Sequence, residues 1–288
     1  MTGVQVEFPN LGIVIHNLKS GFYIFDFKIA FYGMIIATGM ILGYFMAEFQ
    51  AKRTGQKADL YMDLALIDIP ISVICARIYY VVFAWNEYKD NPISVLYIRN
   101  GGLAIYGAVI GGVTTAIIFA KLRKVSIGLL LDTAVAGLIT GQIIGRWGNF
   151  FNCEAFGGYA KNTLLAMKLP WDTAVAHMSA NSANELSKYV VDDTILVHPT
   201  FLYESLWNIG VLIIILLYTK RKKFDGELLC IYMFGYGLGR MWIENLRTDQ
   251  LLLWNTNIPV SMCVSGAMML LAVGIYIYNM TKLKKTKA

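Results

Sequence analysis

Three arginines in this sequence stand near carboxylates and amides at spacings that suit the binding of an anion. Asn149 follows Arg146 by one helical turn, and Glu244 and Arg247 follow Arg240 by one and two turns. On a helix, side chains at such spacings share one face. A guanidinium presents a planar fork of donors that pairs bidentately with phosphate oxygens. The pattern therefore indicates a phosphate-binding site whose arginines are oriented by carboxylates.

The composition indicates that lipid surrounds most of the chain. Hydrophobic residues fill 57% of the 288 positions and charged residues 15%, whereas soluble domains carry about 25% charged residues. The net charge of +6 is not a nucleic-acid signal, because the basic residues form short clusters between long apolar stretches, as cytoplasmic membrane loops do. The first 26 residues lack the basic-then-apolar order of a cleavable signal peptide.

Seven stretches are predicted to span a membrane, which takes about 20 helical residues each. They lie near 27–47, 60–84, 101–120, 127–150, 200–218, 227–245 and 258–279, and basic clusters follow every other one. The positive-inside rule puts those clusters in the cytoplasm, so the N-terminus is expected outside and the C-terminus inside. We therefore expect an all-α integral membrane protein: one polytopic domain over residues 1–288, built as a bundle of about seven helices. Residues 152–198 would form a small extracytoplasmic cap, and residues 280–288 a basic cytoplasmic tail.

This topology brings the unusual polar residues to one depth, at the outer headgroup layer. Charged groups in a membrane are costly unless they are paired or meet a polar cavity or ligand. An internal ion-pair network that holds helices together is an equally open interpretation for Arg77, Glu244 and Arg247. The residues expected to meet at this depth are Tyr32, Arg77, Tyr106, Arg146, Asn149, Glu154, Glu204, Arg240, Glu244 and Arg247.

Other polar or reactive residues receive a structural interpretation. Asp63, Asp68 and Asp132 project toward the inner half of the bundle, where pairing within the protein is preferred. Cys153 invites a nucleophilic role, but it has no neighbouring histidine, and a structural role is preferred. Glycines around Arg146, Gly157 among them, suggest backbone N–H groups opened to a ligand, although such glycines often mean close helix packing.

Four motifs resemble those of the prolipoprotein diacylglyceryl transferase family. The segment Gly145–Gly157 resembles the signature G-R-x-G/A-N-F-x-N-x-E-x-x-G and fills every fixed position. Phe31–Gly33 resembles the tyrosine motif of the family's first helix, and His198–Glu204 its H-P-x-x-L-Y-E motif. Arg240–Arg247 resembles the motif R-x-x-x-E-x-x-R, and all four motifs keep the family's order.

The resemblance implies a reaction in lipoprotein maturation in bacteria. The diacylglyceryl group of phosphatidylglycerol would pass to the lipobox cysteine of a preprolipoprotein, at the outer face of the cytoplasmic membrane, forming a thioether and releasing glycerol 1-phosphate. The thiol must become a thiolate, and the departing phosphate must be stabilised. No metal or organic cofactor is demanded, and the oligomeric state stays open.

The same resemblance implies the role of each candidate residue. Glu154 and Glu244 would position arginines. The catalytic residues would be Tyr32, Tyr106, Arg146, Glu204 and Arg240. Arg146 and Arg240 would bind the phosphate of phosphatidylglycerol, and Arg247 is a weaker candidate for the same role. Asn149 and the backbone near Gly157 would orient the headgroup. Glu204 or Tyr106 would deprotonate or orient the thiol.

One position departs from the family's pattern. Many members carry a histidine in the glycine-rich third helix, where Gly101–Gly107 of this chain places Tyr106. Tyrosine has a reference pKa of about 10 and is a poor general base at neutral pH. A mechanism that needs an imidazole at this place is therefore in doubt for this protein.

Two other classes of function are disfavoured. A transporter or channel with an anion site usually places binding residues near the bilayer midplane and often has internal repeats, whereas here the charges gather near one face and no repeat is visible. An enzyme that moves phosphoglycerol to a sugar would need metal ligands in a large outer domain, and the sequence offers no such cluster.

Overall fold

The computed structural model describes residues 3–287, apart from 26, 99–100, 162, 254–255 and 257. Long helices form the body of the molecule, and short strands and helices form a cap at one end. The helices are α1 (Phe31–Arg53), α2 (Asp59–Phe83), α3 (Ile105–Leu122), α4 (Ile127–Asn152), α5 (Trp171–Val175), α6 (Ala180–Leu186), α7 (Thr200–Tyr218), α8 (Glu227–Glu244) and α9 (Val260–Lys287). The strands are β1 (Val4–Phe8), β2 (Ile13–Leu18), β3 (Gly21–Ile24), β4 (Phe27–Ala30), β5 (Met167–Pro170) and β6 (Thr194–Val197).

Six helices of the described chain are long and apolar enough to cross a membrane, namely α1, α2, α3, α4, α7 and α9. The protein is thus a mostly helical, multi-pass membrane protein, as expected. Helix α8 has 18 residues, about 27 Å at 1.5 Å per residue, but it carries Arg240 and Glu244 and is less apolar. Because α8 packs against α4, α7 and α9, it belongs to the bundle, and the count of seven spans stays a prediction.

Helices α1 and α4 approach closely because glycines face each other across their contact. A Cβ atom on Gly43 would come within 2.7 Å of the carbonyl oxygen of Gly137, and one on Gly137 within 2.4 Å of the oxygen of Gly43. One turn further along, Gly39 faces Gly141. Small residues at such contacts let two backbones pack tightly in lipid. This packing fixes the end of α4 that carries Arg146 against the start of α1 that carries Tyr32.

Helices α4, α7 and α8 form the core of the bundle below the cap. Ile139 of α4, Val211 and Ile215 of α7 and Tyr232 of α8 are buried in one cluster. At the opposite end, the carboxylate of Asp132 accepts hydrogen bonds from the N–H groups of Gly226 and Leu229, each at 2.9 Å, and so caps the start of α8. The preferred structural role of Asp132 is confirmed, and α8 is fixed at the end remote from Arg240.

The cap is a four-stranded sheet that combines the N-terminal segment with the insertion before α7. Its strand order is β2-β1-β5-β6, with antiparallel pairing throughout. Inward-facing Val6, Leu169, Ile195 and Val197 join the buried Phe156 in its core. Strands β5 and β6 of this sheet fall within the predicted cap of residues 152–198, whose extracytoplasmic placement stays a prediction. The sequence analysis did not predict the strands or the contribution of residues 4–18.

Two predicted span boundaries are wrong, and both errors concern apolar residues outside the helices. Phe27–Ala30, placed at the start of the first span, forms strand β4 and pairs with Gly21–Ile24 in a hairpin. Gly101–Ala104, placed in the third span, is not helical, and Gly101 and Gly102 have φ angles of 89° and 76°. At the C-terminus the basic tail is helical, because α9 continues to Lys287.

Candidate active site

The candidate site lies where the end of α4, the start of α7 and the end of α8 meet beneath the cap. Helices α4 and α8 run toward the cap and α7 runs away from it, so Arg146, Glu204 and Arg240 come to one level. The junction is pinned by the hydroxyl of Thr200 at the start of α7, which donates to the carbonyl oxygen of Ala155 just after α4.

Six side chains at this level form a row of alternating charge. Arg146 Nη2 lies 2.8 Å from Glu204 Oε1, and Arg240 Nη1 lies 3.0 Å from Glu204 Oε2. Arg240 Nη2 lies 2.6 Å from Glu244 Oε2, and that oxygen lies 3.9 Å from Arg247 Nε. The row ends at Asp249, which Arg247 holds with two bonds, of 2.9 Å from Nε and 2.7 Å from Nη2. The predicted convergence of these arginines and glutamates is therefore present, and we call this set the arginine–carboxylate row.

The two glutamates of the row are more deeply buried than its arginines. The side chain of Glu204 is 3% exposed, whereas that of Arg146 is 22% and that of Arg240 16% exposed. Glu204 Oε1 and Glu244 Oε2 lie within ion-pair distance of guanidiniums without a well-aligned N–H bond. A guanidinium has five N–H donors, and those of Arg146 and Arg240 are not all directed at the carboxylates. The row can therefore hold its arginines and still present donors to an anion.

Tyrosines and amides that the sequence analysis did not select lie beneath the row. The hydroxyl of Tyr236 is within hydrogen-bonding reach of Arg146, and its ring stacks on Tyr232 at 5.5 Å. Gln142 donates to the hydroxyl of Tyr232 at 2.8 Å. Asn208 is fully buried one turn below Glu204, and neither atom of its amide group has a partner among the described residues. The sequence signal for Tyr232 and Tyr236 was present, since they precede Arg240 at intervals of four residues on one helix face.

The signature segment after α4 is organised around Asn149, Glu154 and Gly157. Asn149 Nδ2 donates to Glu154 Oε1 at 2.8 Å, so Glu154 supports the amide and the expectation that it positions an arginine is wrong. Gly157 donates its N–H to the carbonyl of His198 at 2.8 Å, and Gly158 donates to that of Leu246 at 2.8 Å. These two N–H groups are therefore not open to a ligand as expected. Gly157 instead lets its own segment pack against the segments of His198 and Leu246, because a Cβ at Gly157 would come within 2.8 Å of His198 Cβ and 2.9 Å of the carbonyl oxygen of Leu246.

Tyr32 and Tyr106 approach the row from two further helices. A Cβ on Gly148 would come within 2.7 Å of the ring of Tyr32, so that ring packs directly on α4 beside Arg146. Tyr106, at the start of α3, lies within electrostatic range of Arg240 and Glu244, and its ring centroid is 6.5 Å from that of Tyr79. Both tyrosines thus border the site on the side of α1 and α3.

Arg77 lies outside the row. Its guanidinium donates to the carbonyl oxygens of Ser94, Val95, Gly101 and Gly102 at 2.8–3.0 Å. Four carbonyl acceptors satisfy a buried guanidinium without any carboxylate. Arg77 therefore neither joins the row nor forms the ion pair that the structural interpretation expected. Its contacts with carbonyl oxygens hold the connection between α2 and α3.

Two of the inner-half aspartates also differ from the row. Asp63 pairs with Arg123 at the end of the bundle remote from the cap, where both side chains are exposed. Asp68 faces Ser72 and Gly112 at the contact of α2 with α3, and its Oδ1 atom is buried without a partner among the described residues. Neither residue contacts the row.

Cys153 is buried in the core of the cap, just after α4. Burial, with a smaller contribution from the charge of Glu154, raises the pKa of its thiol to about 11. A thiol with that pKa is protonated at neutral pH, and the protonated form is a weak nucleophile. The environment of Cys153 therefore favours the structural role.

Comparison with known proteins agrees with the motifs. The sequence model of the family described as prolipoprotein diacylglyceryl transferase matches residues 19–278. The chain belongs to this family. The phosphatidylglycerol–prolipoprotein diacylglyceryl transferase of Clostridioides difficile is 42% identical over 235 residues, covering 82% of this chain and 85% of the relative. The proteins of the same name from Bacillus cytotoxicus and Lysinibacillus sphaericus are 42% and 40% identical, over 84% and 91% of this chain and 86% and 92% of their own lengths.

In this member of the family, the motifs that carried the resemblance meet in space. The signature segment supplies Arg146 and Asn149, the His198–Glu204 motif supplies Glu204, and the last motif supplies Arg240 and Glu244. The resemblance inferred from sequence is thus confirmed at the level of the family, and the role of each residue stays a prediction.

Proposed function

We propose that the protein transfers the diacylglyceryl group of phosphatidylglycerol to the cysteine thiol of a preprolipoprotein lipobox, the first step of lipoprotein maturation. A carbon–sulfur bond forms at the terminal carbon of the diacylglyceryl group while its carbon–oxygen bond to phosphate breaks. The electron pair leaves on the phosphate oxygen, and glycerol 1-phosphate departs. The arginine–carboxylate row, in a member of this family, is the observation that carries the proposal.

For the topology, we propose seven spans within a single polytopic domain, residues 1–288, with α8 as the sixth. Its length is close to one hydrocarbon thickness, and its charged Arg240 and Glu244 lie at the end that meets the cap. Basic clusters then place the N-terminus outside and the C-terminus in the cytoplasm. The cap and the row would face the outside of the bacterial cytoplasmic membrane, where lipobox cysteines are exposed.

We assign the phosphate to Arg146 and Arg240. Both guanidiniums reach the row's surface, and both are fixed by Glu204, so they need little reorganisation when charge develops on the departing oxygen. Asn149, held by Glu154, would orient the headgroup. Arg247 is the weaker candidate, because two of its donors are occupied by Asp249.

For Glu204 the geometry favours an orienting role over that of thiol base, because each of its oxygens lies beside a guanidinium. Tyr106 borders the same space without an ion pair to a carboxylate. We propose that the Tyr106 hydroxyl orients the thiol of the acceptor cysteine or passes the proton of that thiol to water. The guanidiniums of the row would favour the thiolate form. Tyr32 packs against α4 and would position Arg146.

Replacing Tyr106 by phenylalanine tests the hydroxyl. Loss of a proton-transfer group typically lowers the rate by about 100-fold or more, so we expect kcat to fall by at least tenfold while the KM for lipid is unchanged. Tyr79→Phe removes the hydroxyl of the neighbouring ring and should keep normal activity. If Tyr106→Phe keeps the kcat of the wild type, the hydroxyl has no role in the reaction and the Tyr106 side chain serves only in packing.

The proposed function is tested by lipid transfer in two preparations. Purified protein in phosphatidylglycerol vesicles should attach labelled diacylglycerol to a lipobox peptide and release one glycerol 1-phosphate per thioether, whereas a peptide with serine for the cysteine should stay unmodified. Peptide added outside sealed spheroplasts should also be modified. Absence of transfer in the vesicles would reject the function, and transfer in vesicles but not in spheroplasts would reject the outward-facing site.

A further inference from the structure

A cleft of about 330 Å³ opens in the cap beside the last arginine of the row. Its walls come from the segments 158–159, 182–189 and 246–248, and none of these segments belongs to a candidate membrane-spanning helix. Arg247 lines the cleft and also lies 3.9 Å from Glu244 in the row. The cleft therefore adjoins the row at Arg247 and lies within the cap.

Interactions within the cap hold the walls of this cleft in place. Tyr159 and Tyr189 stack with centroids 4.2 Å apart and rings inclined by 8°. The hydroxyl of Ser182 donates a hydrogen bond to the carbonyl oxygen of Thr248 at 2.9 Å. The N–H of Gly158 donates a hydrogen bond to the carbonyl oxygen of Leu246 at 2.8 Å. A groove fixed in this way needs little ordering when a ligand binds. The exposed Glu185 also lines the cleft and supplies a carboxylate.

The two substrates differ in which part of each lies outside the bilayer. The acyl chains of the lipid stay in the hydrocarbon layer, and the phosphate binds at the row. A polypeptide whose cysteine reaches the row must continue beyond it into the aqueous side. Arg247 belongs to the row and also lines the cleft. An extended chain that leaves the row on this side, at about 3.3 Å per residue, therefore enters the cleft with the residues just after the cysteine. The volume lies at the lower end of the 300–1,000 Å³ typical of ligand pockets.

We propose that this cleft binds, in extended conformation, the first few residues that follow the acceptor cysteine of the lipoprotein precursor. This inference rests on the proposed function. The enzyme then recognises the acceptor on both sides of the reacting thiol: the apolar signal segment in the membrane and the beginning of the mature chain in the cap.

The test compares two acceptor peptides with the same lipobox. One ends at the cysteine as an amide, and the other continues for four further residues. With wild-type enzyme we expect the longer peptide to have a KM about tenfold lower. Ser182→Trp, which fills the cleft, and Tyr189→Ala, which removes one wall, should raise the KM of the longer peptide to that of the shorter one.

Asn181→Trp is the matched control, because Asn181 is exposed on the same helix and does not line the cleft. It should leave both KM values unchanged. The short peptide reports whether the cap of each variant still folds, since its turnover does not use the cleft. Equal KM values for the two peptides with wild-type enzyme, or variants that alter both peptides alike, would overturn the cleft assignment. Transfer to the short peptide would still support the function, whereas no transfer to either peptide would reject the function itself.

Discussion

Alanine at Arg146 is expected to lower kcat/KM for lipid transfer by about 100- to 1,000-fold, the usual loss when one preorganised donor to a developing oxyanion is removed. Glu204 keeps its contact with Arg240 at 3.0 Å, so the carboxylate is not left without a cation. The variant should therefore insert and fold, and its defect should lie mainly in kcat. Transfer from labelled phosphatidylglycerol to a lipobox peptide measures it.

Arg240→Ala should lose at least as much transfer activity as Arg146→Ala and should lower the free energy of unfolding more. Arg240 lies between Glu204 and Glu244, which are 3% and 5% exposed. Among the described residues, its removal leaves Glu204 paired with Arg146 alone and leaves Glu244 with only the longer contact of 3.9 Å to Arg247. Breaking a buried ion pair from one side costs about 3–5 kcal/mol. Arg240→Lys keeps the charge without the fork and should recover stability more than activity.

Arg123→Ala provides the matched control for both variants. Arg123 also pairs with a carboxylate, at the end of the bundle remote from the cap, but both side chains of that pair are exposed and it lies far from the row in sequence and fold. Exposed pairs contribute about 0–1 kcal/mol, so this variant should be fully active. Wild-type transfer rates in Arg146→Ala or Arg240→Ala would remove the phosphate assignment.

The second large effect is expected at Glu204. Glu204→Ala removes the shared partner of Arg146 and Arg240 and leaves two guanidiniums close together, with a cost in unfolding free energy of about 3–5 kcal/mol. We expect little transfer and a clear drop in thermal stability in detergent. If Glu204 acts by holding the arginines, the double variant Glu204→Ala/Arg146→Ala should be no less stable than Glu204→Ala, because the repulsion is relieved.

The pH profile separates the orienting role from that of a thiol base. Glu204→Gln keeps the shape of the side chain and loses its charge. An orienting residue predicts reduced kcat at every pH with an unchanged profile. A profile that rises with pH in Glu204→Gln, as free thiolate replaces the lost base, would instead make Glu204 the base and contradict the assignment to Tyr106.

Much of the site was predictable because charge in a membrane is restricted. Arg146, Glu204, Arg240 and Glu244 fall at the same depth in a topology read from basic clusters, and isolated charges there are too costly to remain apart. Asp249 was missed because its contact with Arg247 depends on the turn after α8, which no helical periodicity describes. The partner of Glu154 was assigned wrongly for a similar reason, since it lies beyond the end of α4.

The strands were the least predictable part of the fold. Phe27–Ala30 is short and apolar except for Lys28, and such a run has the same pattern at the start of a membrane helix and in a hairpin. Strands β1 and β5 each have few residues, and their pairing joins positions about 160 apart in the chain. Pairing at that separation leaves no local signal, whereas the long helices carry theirs in every turn.

The cap sheet also constrains how the protein is made. Strand β1, at residues 4–8, finds its partner β5 at residues 167–170 only after four long helices have been synthesised. At about 5–20 residues per second, synthesis of the chain between β1 and β5 takes roughly 8 to 30 s, and during this time one edge of the hairpin β1–β2 has no partner strand. Completion of the cap, and with it the fixing of the α4–α7 junction, is therefore a late event in biogenesis, and a chain interrupted before β5 would expose an aggregation-prone edge.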